Sequence, residues 1–107
     1  GKSADSFGPI GPYLVTKEEI PDIQKLNLSL DLNNKRMQTG NTSKMIFSIS
    51  FILSYLSNFM SLQPGDIVTT GTPPGVGMGK KPPLYLKPGD EMHLSIDHLG
   101  NQHQKVR

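Results

Sequence analysis

The clearest strand signal in the chain is the stretch 26–38, which reads Leu-Asn-Leu-Ser-Leu-Asp-Leu-Asn-Asn-Lys-Arg-Met-Gln. Leucines alternate with polar residues from 26 to 32, which is the period-two pattern of a strand with one buried face. Asn33 and Asn34 tolerate a positive φ, so they can turn the chain back into a second strand at 35–38. The stretch therefore predicts a β-hairpin.

A second strand signal is the phrase Leu-x-Pro-Gly-Asp, which occurs at 62–66 and again at 86–90. In each copy the proline sets φ and the glycine allows a positive φ, which is typical of a tight turn. We expect a buried strand at 67–70 after the first copy. After the second copy, apolar residues alternate from Met92 to Ile96, which predicts another strand. The two copies therefore predict turns that each lead into a strand.

One main helix is expected at about residues 46–61. Its apolar residues recur at spacings of three and four, which places them on one face: Ile49, Ile52, Leu53, Leu56 and Met60. Asn41, Thr42 and Ser43 are candidate N-caps ahead of it. The helix makes the expected class mixed α+β.

The rest of the chain adds short elements. We expect a strand at 13–15, a single helical turn with a capping box at 16–19, a hairpin tip at 99–101 and an edge strand at 102–107. The predicted fold is therefore β-dominated, with one good helix.

Composition narrows the classes of protein. The chain has 107 residues with 11 glycines, 9 prolines and no cysteine, so disulfide frameworks and thiolate zinc sites are excluded. Hydrophobic residues make up 35%, against the usual level of about 45–50%, which predicts a thin core and a partner or a larger whole. The apolar stretch 45–62 is broken by serines and does not predict a membrane span. The formal net charge is +2, and the basic residues are scattered along the chain instead of forming a patch. We therefore expect a cytoplasmic protein that binds neither nucleic acid nor membrane.

The densest chemical signal is the glycine-rich stretch 70–80, Thr-Gly-Thr-Pro-Pro-Gly-Val-Gly-Met-Gly-Lys. A Walker A loop would need glycine at 74 and Ser or Thr at 81, and a dinucleotide fingerprint would need glycine at 80, so neither matches. Composition alone favours a mobile surface connection. The functional alternative is a carboxylate-sized anion held by the Thr72 hydroxyl and backbone N–H groups.

Other polar residues carry weaker signals. Lys2 alone is typical of a solvated terminal side chain, and Asp5 with Ser6 offers too few oxygens for a metal site. The histidines His93, His98 and His103 are five apart, which puts successive ones on opposite faces of a strand. We therefore expect exposed strand positions and no shared metal among the histidines.

Five motifs follow one another along the chain, and together they resemble the fumarylacetoacetate hydrolase family, most closely the branch of acylpyruvases and 2-hydroxyhepta-2,4-diene-1,7-dioate isomerases. They are Gly1-Lys2-Ser3 with Pro9-x-Gly11-Pro12, Gly40-Asn41-Thr42-Ser43-x-Met45-Ile46-Phe47-Ser48, Leu62-x-Pro64-Gly65-Asp66, Thr70-Gly71-Thr72-Pro73-x-Gly75-Val76-Gly77 and Leu86-x-Pro88-Gly89-Asp90.

The resemblance implies part of a β-roll, usually dimeric, and a reaction that depends on Mg²⁺ or Mn²⁺. The substrate class would be a 2-oxo or 1,3-dicarbonyl acid, which is hydrolysed, decarboxylated or isomerised through a metal-stabilised enolate. Lys2 matches the family's active-site lysine. Thr72, with Gly71, matches the loop that binds the substrate's carboxylate end, and Ser6 aligns with a residue that in some members helps hold a second cation.

The resemblance also predicts what the chain lacks. The family's main metal ligands, a Glu-x-Glu pair and an Asp, lie upstream of the lysine, and Glu18-Glu19 is no substitute. We therefore expect residues 1–107 to be the C-terminal part of a catalytic domain that alone binds Mg²⁺ poorly and turns nothing over. The alternatives are a non-catalytic β-domain that serves dimerisation or small-anion binding and a glycine-rich phosphate-binding domain.

Overall fold

The structure, a computed structural model, describes residues 4–107. Four antiparallel strands form one sheet in the order β2-β1-β3-β4. The strands and the one α-helix are β1 (Asn27–Leu32), β2 (Lys35–Asn41), α1 (Ile49–Ser57), β3 (Glu91–Ile96) and β4 (Gly100–Lys105). The predicted β-dominated α+β class is confirmed.

The β1–β2 hairpin forms where the alternating leucines predict it. Asn33 and Asn34 turn the chain with φ angles of 49° and 62°. Strand β2 continues past the predicted end at 38, because its last residues still pair with the start of β1, up to Asn27 opposite Asn41. The second hairpin joins β3 to β4 through a turn at 97–99, two residues earlier than the predicted tip.

Strand pairing gives the sheet an apolar face and a polar face. The apolar face carries Leu28 opposite Ile96, Leu30 opposite Leu94, and Leu32 opposite Met92. Side chains of the intervening residues lie on the polar face: Ser29, Asp31, His93, Ser95, Asn101 and His103. Among the described residues only Leu26 and Leu32 are buried, and neither completely, so the core is as thin as the composition predicts.

Two loops reach the apolar face at opposite edges of the sheet, and a glutamine holds each of them. Gln38 of β2 donates to the Pro73 carbonyl at 2.7 Å, and Gln102 of β4 donates to the Gly11 carbonyl. The two glutamines end a single row across the sheet, in which Leu30 and Leu94 lie between them. The sheet edges therefore position the loops through matching side-chain contacts.

Helix α1 is shorter than the predicted span 46–61, and its cap lies elsewhere. The Ser48 hydroxyl accepts from the Phe51 N–H at 3.1 Å, so Ser48 is the N-cap. Asn41 caps a separate 3₁₀ turn, Thr42–Lys44, so the predicted N-cap was wrong. Gln24, in the segment that precedes β1, holds the start of the helix, because its Oε1 accepts from the Ile49 N–H at 2.7 Å.

Two predicted strands do not form among the described residues. Residues 67–70 and 13–15 have no strand pairing, and Ile67 is 67% exposed. A strand needs a partner whose N–H and C=O groups complete the ladder, and no neighbour in residues 4–107 supplies one. The single helical turn is confirmed as a 3₁₀ turn at Lys17–Glu19, although Thr16 makes no side-chain cap to the backbone.

The described fold leaves much apolar surface uncovered. Its accessible area is 8697 Å², whereas a folded monomer of 11.7 kDa exposes about 5,900 Å². The Cα radius of gyration is 15.2 Å, against about 13 Å for a compact domain of this length. None of the helices among residues 4–107 is long and apolar enough to cross a membrane.

Candidate anion-binding site

The glycine-rich loop lies against strand β2. At Gly75, where φ is 113°, a Cβ atom would come within 2.1 Å of the Met37 backbone oxygen. Real Cβ atoms do not approach an oxygen this closely, so the absence of a side chain is what lets the loop reach the strand. This contact favours an ordered loop over the mobile surface connection that composition alone favours.

Gln38 fixes the tip of the same loop. Its Nε2 donates to the Thr72 hydroxyl at 2.8 Å as well as to the Pro73 carbonyl. A threonine hydroxyl that accepts from one partner keeps its own O–H free to donate to another. Thr72 is exposed, so that O–H is available to a ligand oxygen arriving from solvent.

The space beside Gly71 is open to solvent in the candidate site. The φ of this glycine is 93°, and a Cβ atom placed there would meet nothing within 4 Å. A glycine at positive φ lets the chain turn its peptide N–H groups outward, as anion-binding loops do. The structure thus joins Thr72 to Gln38 and leaves Gly71 beside open space.

Sequence reasoning missed Gln38, although the pattern contained a signal. Hairpin pairing sets Gln38 opposite Leu30, so a polar side chain falls on the apolar face. A polar group on such a face needs a hydrogen-bond partner. That requirement points to a contact from elsewhere in the chain, and the Thr72 loop provides it.

The N-terminal candidates contribute less. Lys2 lies outside the described residues. Ser6 has a φ of 64° and lies in an exposed turn in which the Phe7 N–H donates to the Ala4 carbonyl at 3.1 Å. The catalytic role of Lys2 and the second-cation role of Ser6 stay predictions.

The three histidines are exposed, as the sequence predicts, and the β3–β4 hairpin brings two of them together. His93 and His103 lie directly opposite each other on β3 and β4, and Glu91 joins them, with candidate ligand atoms all within 4.8 Å of one another. The spacing argument treated one strand, whereas the hairpin folds the two histidines together. Only His98, at φ 64° in the turn, stands apart.

The Glu91, His93 and His103 group does not fit Mg²⁺. Magnesium takes oxygen ligands and tolerates imidazole poorly, and Mn²⁺ shares the preference for carboxylate and water. The group offers one carboxylate and two imidazoles. Within residues 4–107 no other set of three His, Cys, Asp or Glu side chains comes together.

Three carboxyl groups have lowered pKa values, each for a local structural reason. The hydrogen bond from the Arg36 guanidinium holds the pKa of Asp31 below its usual value. The Asn33 side chain does the same for the pKa of Asp90, and the Gln24 backbone N–H does so for the pKa of Asp22. Each lowered pKa therefore has a structural cause, namely a hydrogen bond within a turn or between neighbouring segments of the fold.

Comparison with known proteins places this architecture in a family. The model named Fumarylacetoacetate (FAA) hydrolase C-terminal matches residues 1–107. A curated relative from Burkholderia cenocepacia is 56% identical over 108 residues, which cover the whole of this chain and 38% of that protein. The chain therefore spans less than half the length of the curated relatives it matches.

Solved structures share the fold. Fumarylacetoacetate hydrolase from Exiguobacterium antarcticum is 39% identical with a TM-score of 0.95, over 100% of this chain and 38% of that one. Maleylpyruvate hydrolase from Sphingobium sp. SYK-6, solved with manganese(II) and pyruvate, is 35% identical with a TM-score of 0.85, over 95% and 36%. 2-Hydroxyhepta-2,4-diene-1,7-dioate isomerase from Mycobacterium marinum is 35% identical with a TM-score of 0.82, over 96% and 37%.

Proposed function

The chain belongs to the fumarylacetoacetate hydrolase family, and on that premise we propose that it is the C-terminal part of an enzyme acting on 2-oxo or 1,3-dicarbonyl acids. The observation that carries the proposal is the Thr72 hydroxyl, exposed at the end of a loop and oriented by Gln38 at 2.8 Å. Residues 1–107 contribute the wall that binds the substrate's carboxylate end.

The chemistry of the loop supports a carboxylate ligand. Because the Thr72 oxygen already accepts from Gln38, its O–H is directed away from the amide and can donate to an anion. Hydrogen bonds to an ionised acceptor are shorter and stronger than those between neutral groups. Gly71 leaves room beside the hydroxyl for the second carboxylate oxygen.

Hydrolysis of a carbon–carbon bond is the proposed reaction, with isomerisation and decarboxylation as its alternatives. The Burkholderia cenocepacia relative carries a hydrolase name, while the solved relatives include both hydrolases and an isomerase. In each reaction the electron pair left at the carbon beside a carbonyl group is delocalised onto the carbonyl oxygen, so an enolate oxyanion develops. Lys2 is the proposed group that neutralises this charge.

A divalent ion, Mg²⁺ or Mn²⁺, is proposed as the cofactor, since one relative was solved with manganese(II). When bound, such an ion polarises a carbonyl oxygen and stabilises negative charge on it. Because its oxygen ligands are not assembled by residues 4–107, we expect this chain alone to bind Mg²⁺ poorly and to be inactive.

Packing against further protein is also proposed, with a homodimer as one form. Four aromatic side chains at spacings of four make an exposed stripe along α1 and just beyond its two ends, with neighbouring ring centroids 5.0–6.1 Å apart: Phe47, Phe51, Tyr55 and Phe59. Exposed apolar area of this kind marks interaction surfaces. Sedimentation velocity on the chain would give the molar mass that tests the homodimer.

Titration of the ¹⁵N-labelled chain with pyruvate tests the carboxylate site. Pyruvate is a 2-oxo acid that one relative was solved with. The largest amide shifts are expected at Gly71, Thr72 and Gly75, because Pro73 and Pro74 have no N–H. Replacing Thr72→Val should raise the Kd about fivefold, because one hydrogen bond to the carboxylate is lost.

Thr69→Val is the matched control, since Thr69 is also exposed but lies outside the loop tip. It should leave the Kd unchanged. Equal losses in the two variants, or shifts that avoid the loop, would overturn the carboxylate site. In a separate assay with Mn²⁺ and an acylpyruvate, turnover by this chain would contradict the proposed inactivity.

A further inference from the structure

We propose that Glu91, His93 and His103 form a binding site for a divalent cation of the zinc type on the polar face of the sheet. The site joins strand β3 to strand β4. It is separate from the carboxylate site and from the Mg²⁺ or Mn²⁺ proposed for the reaction.

The backbone brings the three side chains together. His93 is the direct partner of His103 in the β3–β4 ladder, and their rings stack with centroids 4.1 Å apart. Glu91 lies two residues before His93, so the period of two returns its side chain to the same face. Its Oε2 is 3.6 Å from the His103 Nε2. Because strand pairing fixes the backbone at these three positions, rotation of the side chains is enough to bring their ligand atoms around one ion.

The distances suit a zinc ion. Zinc binds histidine nitrogen and carboxylate oxygen at about 2.0–2.2 Å, so tetrahedral ligand atoms lie about 3.3 Å apart. The three ligand atoms lie within 4.8 Å of one another. Both imidazoles are exposed, and the exposed fraction of the His103 side chain is 56%. Exposed rings can tilt from the stacked arrangement to the tetrahedral one, and water supplies the fourth ligand.

The donor set selects the class of cation. Imidazole suits zinc, nickel and copper, whereas magnesium and calcium take oxygen ligands. Two imidazoles and one carboxylate carry a net charge of −1 when the histidines are neutral, which partly neutralises a divalent ion. Of these cations, zinc has no redox chemistry and takes the tetrahedral arrangement of ligands.

Lys105 competes for the same carboxylate. Its Nζ is 3.5 Å from Glu91 Oε1, while Oε2 faces His103. The two oxygens of Glu91 are thus divided between an ammonium group and the metal position. Because the ammonium group repels a cation, its removal should strengthen zinc binding.

The zinc site and the Thr72 loop lie on opposite faces of the sheet. Gln38, which holds the loop, shares the apolar face with Leu30 and Leu94. The neighbouring pair His93 and His103 lies one residue along the strands and therefore on the polar face. Zinc would clamp the β3–β4 hairpin without touching the substrate side.

Calorimetric titration of the chain with ZnCl₂, together with proton NMR of the histidine Hε1 signals, tests the site. The chain contains three histidines. One zinc per chain should bind, the signals of His93 and His103 should shift together, and that of His98 should stay in place. His103→Asn should weaken binding at least about tenfold, since a ligand is lost.

Three further variants make the outcome decisive, with circular dichroism confirming that each is folded like the wild type. Glu91→Gln should weaken zinc binding and Lys105→Gln should tighten it. His98→Gln should leave zinc binding unchanged. Absence of zinc binding, equal shifts of all three histidines, or an unchanged Kd in His103→Asn would overturn the site.

Discussion

The two copies of Leu-x-Pro-Gly-Asp form the same turn but lead to different structures. In the first, the Asp66 carboxylate accepts from the Gln63 N–H at 2.8 Å. In the second, the Asp90 carboxylate accepts from the Lys87 N–H at the same distance. Both glycines have matching φ angles of 96° and 93°. Strand β3 follows the second turn, yet no strand follows the first among the described residues.

The two regions differ in whether neighbouring strands pair with them. Strand β3 has β1 on one side and β4 on the other, so its backbone groups are paired on both edges. Residues 67–70 have no backbone hydrogen bond to any other part of residues 4–107. Five local residues therefore suffice for a turn, whereas a strand depends on partners that the turn does not supply.

The segment after the first turn gains its order in another way. Glycine at 75 lets the loop touch the β2 backbone, and Gln38 holds Thr72 and Pro73 by its side chain. The region after the second turn is ordered by backbone pairing, and the region after the first is ordered by close contact with β2.

The largest expected effect comes from filling the contact between loop and strand. Gly75→Ala places a Cβ 2.1 Å from the Met37 oxygen at a φ of 113°. The clash and the positive φ together should lower the free energy of unfolding by about 3 kcal/mol or more. Urea denaturation followed by circular dichroism measures the change.

Gly71→Ala is its matched control. Gly71 also has a positive φ, but its Cβ would meet nothing within 4 Å. The control should therefore cost only the conformational strain, about 1–2 kcal/mol. Equal losses in the two variants would show that the loop does not rest on β2.

The second expected effect compares one residue type in the two regions. Ile96 lies half-buried in β3, whereas Ile67 is 67% exposed after the first turn. Ile96→Ala should lower the free energy of unfolding by about 1–2 kcal/mol, and Ile67→Ala by less than about 0.5 kcal/mol. A loss at Ile67 as large as that at Ile96 would mean that residues 67–70 are buried in the protein in solution.

The smallest expected effect concerns the two aspartates of the turns. Asp90 also accepts from Asn33 at 2.8 Å, and these hydrogen bonds lower its pKa. A lowered folded pKa means that ionised Asp90 stabilises the protein above its unfolded pKa, about 3.9, and that this stability is lost as the pH falls through the folded value.

Asp90→Asn should therefore lower the urea midpoint at pH 6, and its midpoint should approach that of the wild type as the pH falls below about 4. Asp66→Asn should lower the midpoint less at pH 6, because Asp66 accepts only from the Gln63 backbone N–H and no side chain within residues 4–107 donates to it. A difference between Asp90→Asn and the wild type that grows towards low pH would contradict the assignment.

The sequence predicts those parts of the fold that depend on near neighbours. Alternating leucines predict β1, and the repeated phrase predicts both turns. The helix is found, but Ser48 rather than a residue at 41–43 caps it, because Asn41 is already used by a 3₁₀ turn. A local pattern cannot distinguish two adjacent capping sites.

Long-range pairing explains what the sequence did not reveal. The contact of Gln38 with Thr72 joins residues 34 apart in the chain, and the histidine pair depends on the hairpin register. The first depends on where the glycine-rich loop meets β2, and the second depends on which residues face each other across the sheet. The resemblance supplied Thr72 and Gly71 as candidates, but only the fold shows what orients the threonine.

The pyruvate Kd of Gln38→Ala, measured by the ¹⁵N titration, tests the central claim most directly. Gln102→Ala is the matched control, since Gln102 holds the Gly11 loop at the other end of the same row. Loss of the contact that orients Thr72 should raise the Kd about fivefold in Gln38→Ala, while Gln102→Ala keeps the wild-type value. An unchanged Kd in Gln38→Ala, in a chain that is still folded, would contradict the claim that β2 positions the carboxylate site.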